Sequence, residues 1–276
     1  MSENLKGKIG VFDSGFGGLN ILKSIVKELP QYDFIYLGDS ARAPYGSRTK
    51  EVIYEFTKEA VDFLFNNGAK LIIIACNSAS ADALRKIQQE YLPEFYPGNK
   101  VLGVLIPAVE ECTKNSKTKK VGVMATEATV SSGAFERELH KIDPKIEIFQ
   151  KACPLLVEIV EEGKEDGLET DIILKNYLEP LLREDIDTLI LGCTHFGILE
   201  DKIKDIIPKN IQIISEAGIV AKKLNEYLSR HPEIENVLSK NSERVFYTTD
   251  TTSKFEALGS KFYGEQIVAK TTKLKG

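Results

Sequence analysis

Short apolar runs alternate with longer stretches of helical periodicity along most of the chain. Lys8–Phe12 reads as a strand, followed by a glycine-rich turn and a helix from about Leu19 to Leu29. Phe34–Leu37 is a second strand, and Glu51–Asn66 an amphipathic helix. Leu71–Ala75 is fully apolar, and too short and too β-branched for a helix, so it reads as a buried strand; Ser80–Glu90 is helical again. Strands alternating with helices predict an α/β fold of mainly parallel sheets joined by crossover helices. Pro93–Asn99 is rich in turn formers and is expected to close the first unit. The tail Thr271–Gly276 is small, polar and basic, and is expected to fray.

The pattern then starts again. Val121–Met124 resembles Ile9–Phe12, Glu147–Gln150 resembles Phe34–Leu37, and Leu189–Leu191 resembles Ile72–Ile74. Each match recurs roughly 115 residues later, which points to a structural duplication.

Composition narrows the class. The 276 residues carry 36 Lys and Arg against 41 Asp and Glu, a net charge of −5. This mild acidity suits a soluble chain and gives no sign of a nucleic-acid partner. The N-terminus lacks a charged-then-apolar signal segment, and no apolar run reaches bilayer-spanning length. The expected compartment is the cytoplasm, with no membrane partner. Thiols stay reduced there, so the four cysteines are not read as a disulfide framework.

Cys76 and Cys193 occupy matching places, after IIIA in one half and LILG in the other. Asn77 and Ser78 follow the first; Thr194 and His195 follow the second. Ligands of open α/β sheets bind beyond the carboxyl ends of the strands. If the halves face each other, the two sulfurs enter one cleft from opposite sides. A single strand-end cysteine reads as a small buried hydrophobe; two matched ones flanked by polar groups point to function.

Asp13 ends the first strand and opens Asp13-Ser14-Gly15-Phe16-Gly17-Gly18. This is neither the dinucleotide fingerprint nor a P-loop. Asp13 is a local cap, or a proton acceptor for Cys76. The loop Gly38–Ser47, punctuated by Pro44 and Gly46, could present N–H groups to a ligand or be a plain structural loop. His195 is a plausible proton partner for a thiol, and Glu161 and Glu162 lie in an acidic stretch that reads by itself as a solvated face. His140, His231, Cys112 and Cys153 receive no functional role. Zinc held by Cys76, Cys193, His195 and Asp13 is conceivable, but Cys-x-x-Cys ligand spacing is absent, so no metal is expected.

Two thiols on opposite faces of a carbon acid suit two-base proton transfer. One removes the proton as thiolate and the other returns one as thiol, a task for which a thiol pKa is suited. The charge that develops on an α-carboxylate must be met by N–H and hydroxyl donors, which Asn77, Ser78, Thr194 and the glycine-rich turn supply. A two-domain protein that merely closes on a ligand would have no need of such cysteines.

At this point the residues resemble the aspartate/glutamate racemase family, and the glutamate racemases within it. The blocks that carry the likeness are IGVFDSGFGG (Ile9–Gly18), GDSARAPYG (Gly38–Gly46), ACNSAS (Ala75–Ser80), ACPLL (Ala152–Leu156) with Val160-Glu161, LGCTH (Leu191–His195) and YTTD (Tyr247–Asp250). The resemblance implies two pseudo-symmetric doubly wound α/β domains, 1–98 with 213–276 and 99–212, with the active site in the cleft between them. It implies interconversion of L- and D-glutamate for peptidoglycan synthesis without pyridoxal phosphate or other cofactor. An aspartate racemase is the alternative. By position, Cys76 and Cys193 match the catalytic thiols, Asp13 the acid assisting the first, and His195 and Glu161 the pair assisting the second. Asp13, Ser14, Pro44, Tyr45, Gly46, Asn77, Ser78, Thr126, Thr129, Thr194 and His195 match substrate-binding positions. The family also makes a homodimer an expectation. Two departures stand out. A loop that often reads Gly-Thr-x-Gly-Thr has Ala125 and Ala128 in place of the glycines, and Phe196-Gly197 stands where Tyr-Pro is frequent.

Overall fold

A computed structural model describes residues 6–275. Gly276 of the tail and the first five residues, where a signal segment was sought, lie outside the described residues. Among the described residues, ten strands form two sheets, and every strand pairing there is parallel. The first contains β1 (Lys8–Asp13), β2 (Phe34–Gly38), β3 (Ala69–Ile74) and β4 (Lys100–Gly103). The second contains β5 (Lys120–Ala125), β6 (Glu147–Ala152), β7 (Thr188–Gly192) and β8 (Gln212–Ile214). The chain then returns to the first sheet with β9 (Arg244–Thr248) and β10 (Ala269–Thr271). The orders are β10-β9-β2-β1-β3-β4 and β6-β5-β7-β8. The run 2-1-3-4 is thus repeated as 6-5-7-8, the spatial form of the repeat seen in sequence.

The central strands are apolar because helices cover both sheet faces. Ile9, Val11, Leu71, Ile74, Leu189 and Ile190 have no exposed surface. The helix Gly18–Glu28 turns Leu22 and Ile25 toward the helix Glu216–Arg230, which supplies Val220 and Leu224 to the same core. That core also holds Leu189 and Leu191, so it joins the two sheets. Burying each such side chain stabilises the fold by about 1.5–3 kcal/mol.

Several boundaries differ from expectation. The helix expected over Ser80–Glu90 is broken into Asn77–Asp82, Leu84–Lys86 and a π turn at Ile87–Tyr91, ahead of Pro93, whose nitrogen has no hydrogen to donate. The turn-forming stretch after it does not end the first unit, because Lys100–Gly103 adds to β3 as an edge strand. Conversely, Ile213 and Ile214 extend β8 beside β7 instead of returning to the first sheet. Thr271 does not fray: it pairs with Thr248, and Leu274 packs on the core of the first sheet. No helix among the described residues is long and apolar enough to cross a membrane.

Candidate functional site

Strand register places the candidate residues at the carboxyl edges of the two sheets. Phe12 pairs with Ile74 and Asp13 with Gly38, which brings Asp13, Ala75-Cys76 and Asp39 to one edge. Ala125 pairs with both Ala152 and Gly192, which brings Thr126, Cys153 and Cys193 to one edge of the other sheet. These edges face each other across a closed seam. Asp13, Ser14, Cys76, Asn77, Ser78, Thr126, Thr129, Cys193, Thr194 and His195 are all buried.

Glycines make the closure possible. A Cβ on Gly17 would lie 2.6 Å from Thr194 Oγ1, and one on Gly46 would lie 2.6 Å from Thr126 Cβ. A Cβ on Gly18 would meet Asp13 Cβ at 2.6 Å and Ala75 Cβ at 3.0 Å. Three glycines are therefore needed for close approach, two of them across the seam.

Around Cys76, Asp13 accepts the Gly15 N–H at 3.0 Å and the Thr194 hydroxyl at 3.4 Å. Burial pushes the Asp13 carboxyl up, partly countered by the nearby His195 charge and by the N–H groups of Gly18 and Gly15. Burial, followed by the charge of Asp13, pushes the Cys76 thiol up to about 12, with the Ala79 N–H and the Ser14 hydroxyl working the other way. Cys76 therefore sits as a neutral thiol beside a carboxyl group, an arrangement able to donate a proton.

The other face is built differently. Cys193 Sγ lies 3.8 Å from His195 Nδ1, and His195 Nε2 lies 3.2 Å from Glu161 Oε1. The second contact has ion-pair distance without hydrogen-bond alignment, since Nε2 has no hydrogen-bond partner. Burial alone would depress the imidazole, but contact with Cys193 and Glu161 outweighs it and pushes His195 up to about 10. Glu161, which read as part of a solvated stretch, thus has its carboxylate turned toward His195.

Hydroxyls close one side. Ser78 Oγ is 2.9 Å from Thr126 Oγ1, which donates to Thr129 Oγ1 at 3.0 Å. Thr126 also caps the helix Glu127–Ser131 by accepting the Thr129 N–H at 3.2 Å. Ala125 ends β5 and Ala128 lies within that helix, both in regular backbone, so alanine is accommodated where related loops carry glycine. After Cys193 the chain forms a 3-10 turn over Thr194–Leu199 that buries Phe196 and brings Gly197 against Asn20.

The Pro44-Tyr45-Gly46 loop is held from beneath. The Tyr45 hydroxyl donates to Asp39, which also receives the Arg42 guanidinium at 2.7 Å and the Thr249 hydroxyl at 2.8 Å. The YTTD segment therefore acts on the site through Asp39. A groove of about 810 Å³ opens between Gly46–Lys50 and Glu127–Arg137, just outside the hydroxyl cluster; it contains neither Cys76 nor Cys193.

Cys112 is buried in the helix Leu105–Asn115, and Cys153 donates to the Lys151 carbonyl at 3.3 Å. The exposed ring of His140 meets the Ile146 carbonyl, and His231 pairs with Glu233. One residue of the seam was not singled out from the sequence. Glu216, the second residue after β8, is buried and accepts from Asn77 Nδ2 at 2.8 Å. Its position just past a strand end was the only available hint.

The Asp/Glu/Hydantoin racemase family model matches residues 9–224. The chain belongs to this racemase family. Among its relatives, a glutamate racemase of Aquifex aeolicus is 39% identical over 96% of this chain and 97% of its own length. One of Bacillus cereus is 38% identical over 94% of each. The solved glutamate racemase of Francisella tularensis in complex with D-glutamate superposes with a TM-score of 0.87, at 35% identity and 98% coverage of both chains. An aspartate racemase of Picrophilus torridus, 20% identical with a TM-score of 0.52, shares the fold alone. As an amino-acid racemase, the chain has the two-sheet framework of its glutamate-racemase relatives along nearly its whole length.

Proposed function

We propose that this racemase interconverts L- and D-glutamate, with Cys76 and Cys193 as the two acid/base groups, and so supplies D-glutamate for peptidoglycan synthesis. The observation that carries the reading is the placement of both thiols at matching strand ends of facing sheets, in a chain whose near-full-length relatives are glutamate racemases.

The substrate enters when the seam opens, by way of the groove beside Gly46 and Glu127. Its carboxylates are received by Ser14, the Tyr45-Gly46 backbone, Asn77, Ser78, Thr126, Thr129 and Thr194. The α-carbon then lies between the two sulfurs. From one isomer, the sulfur of Cys193 as thiolate takes the α-proton, the bonding pair stays on the α-carbon and spreads into the carboxylate, and the Cys76 thiol delivers its proton to the opposite face. Asp13 assists Cys76, and the His195–Glu161 pair returns Cys193 to the required protonation state. From the other isomer the roles reverse. Closure excludes water, which strengthens each of these electrostatic contacts. Free thiols are kept by a reducing compartment, which favours the cytoplasm.

The test is polarimetry. Optical rotation of L-glutamate should decay to zero with the protein, and that of L-aspartate should decay far more slowly. One methylene distinguishes the two substrates, so the margin is about 10–200-fold. Faster loss of rotation from L-aspartate, or none from L-glutamate, would overturn the assignment.

A further inference from the structure

Glu216 begins the helix Glu216–Arg230, separated from β8 by Ser215 alone, and its carboxyl enters the seam at Asn77, the residue following Cys76. Glu216 is 4% exposed and Asn77 2%. Oε2 accepts from Asn77 Nδ2 at 2.8 Å, whereas Glu216 Oε1 and Asn77 Oδ1 are buried without partners. Two orphaned atoms in one bonded pair require an explanation, because buried polar groups are normally satisfied. With the carboxyl ionised, both orphans are acceptors and neither can serve the other. One proton on Oε1 reverses this: Oε1–H can donate to Oδ1 while Nδ2–H donates to Oε2, closing a reciprocal acid–amide pair.

We propose that Glu216 is a positioning residue of the racemase site, held as a neutral carboxylic acid that pairs reciprocally with the Asn77 carboxamide. The second Nδ2 hydrogen of Asn77 is then aimed at the substrate, so the proposal rests on Asn77 as a substrate-binding group. Ionisation of Glu216 breaks one arm of the pair and frees the amide to rotate.

The surroundings favour the neutral acid. Asp13 is the charged group that bears on Glu216, and it repels a carboxylate. Cys193 and Thr194 share with Glu216 a cavity of about 10 Å³. His195, from the same 3-10 turn, acts on Asp13 and Cys193. On the other packed helices, Glu28 of Gly18–Glu28 accepts from Asn225, and Glu110 of Leu105–Asn115 pairs with Lys223. On the far side of Asn77 stands Cys76, neutral as described. Burial, reinforced by Asp13 and only partly offset by Asn77, pushes Glu216 up to about 8.

Steady-state racemisation of L-glutamate by the full-length protein, E216Q and E216A, followed from pH 6 to 10, tests the pair. The wild type should lose kcat/KM near pH 8 through a rise in KM with little change in kcat. E216Q forms the same reciprocal pair with an amide that does not titrate, so it should bind substrate well and lack that limb. E216A should raise KM by about tenfold at every pH, the scale of one misdirected hydrogen bond to a charged group. The infrared difference between wild type and E216Q at pH 7 should contain the carbonyl band of a protonated carboxylic acid. A limb near pH 8 retained by E216Q, an unchanged KM in E216A, or absence of that band would overturn the proposal. If the wild type does not racemise L-glutamate, the functional reading fails, while the infrared band still decides the state of Glu216.

Discussion

Gly17→Ala isolates the contact between the two sheets from the conformational preferences of the backbone. At Gly17, the N-cap of Gly18–Glu28, φ is −58° and ψ is −37°, which alanine adopts without strain, so the narrower unfolded ensemble favours alanine by up to about 1 kcal/mol. Packing acts in the opposite direction. The new methyl group would lie 2.6 Å from Thr194 Oγ1, 3.0 Å from Thr194 Cβ and 3.1 Å from His195 Nδ1, where ordinary contact begins at 3.4 Å. Thr194 must therefore retreat by about 0.8 Å, or the sheets must part by that amount. Overpacking of this kind costs about 1–3 kcal/mol, so net stability should fall by about 0–2 kcal/mol and the variant should fold. Activity is more sensitive, because a displacement near 1 Å in a reacting constellation costs on the order of 10²-fold. We expect kcat/KM for L-glutamate to fall by about that factor with a small change in Tm, measured by polarimetry and thermal melting. Gly218→Ala is the control: no atom lies within 4 Å of its Cβ position, so Tm should rise slightly and racemisation should continue. A G17A enzyme within about threefold of wild-type kcat/KM would refute the claim that seam closure at Thr194 and His195 sets the rate.

Three further outcomes are expected. Cys76→Ala and Cys193→Ala should each lower racemisation by about 10²–10⁴-fold, the usual contribution of a positioned acid or base, while Cys112→Ala and Cys153→Ala keep substantial activity; equal loss in all four would place the chemistry elsewhere. In heavy water the first D-glutamate formed from L-glutamate should carry deuterium at the α-carbon while residual L-glutamate stays protiated, as mass spectrometry of the chirally separated isomers would show; protium in that early product would point to a single shared base. Glu216 titrates at about 8 in the fold against 4.5 unperturbed, so its contribution to stability is fully present below pH 4.5 and lost as pH rises to 8. The loss is on the order of 5 kcal/mol, and the Tm advantage of E216Q over wild type should grow from pH 5 to pH 9; a constant difference would show that Glu216 ionises freely.

Much of the framework was legible in the chain itself, because strand periodicity is local. IGVF, LIII and LILG are apolar runs that only a sheet covered on both faces can bury, and their recurrence announced two similar units. The prominence of Cys76 and Cys193 followed from the same local fact: each is the first reactive residue past the end of such a run. What the sequence could not contain was the pairing of residues far apart in it. Lys100–Gly103 looks like the start of a new unit until β3 is there to accept its hydrogen bonds, and Thr271 looks like a loose end until Thr248 lies beside it. Glu161 lies in an acidic run that reads as solvated; the fold turns its carboxylate toward His195 across 3.2 Å. Glu216 is the clearest case. A glutamate opening a helix is ordinary in sequence, where it serves the helix dipole as an anion. Only burial in the closed seam, where it meets Asn77 from 139 residues away, removes it from water, and that burial together with Asp13 favours the neutral acid. Local pattern determined which elements form, whereas desolvation and cross-sheet contact, which exist only once the seam has closed, decided the charge and role of the groups inside it.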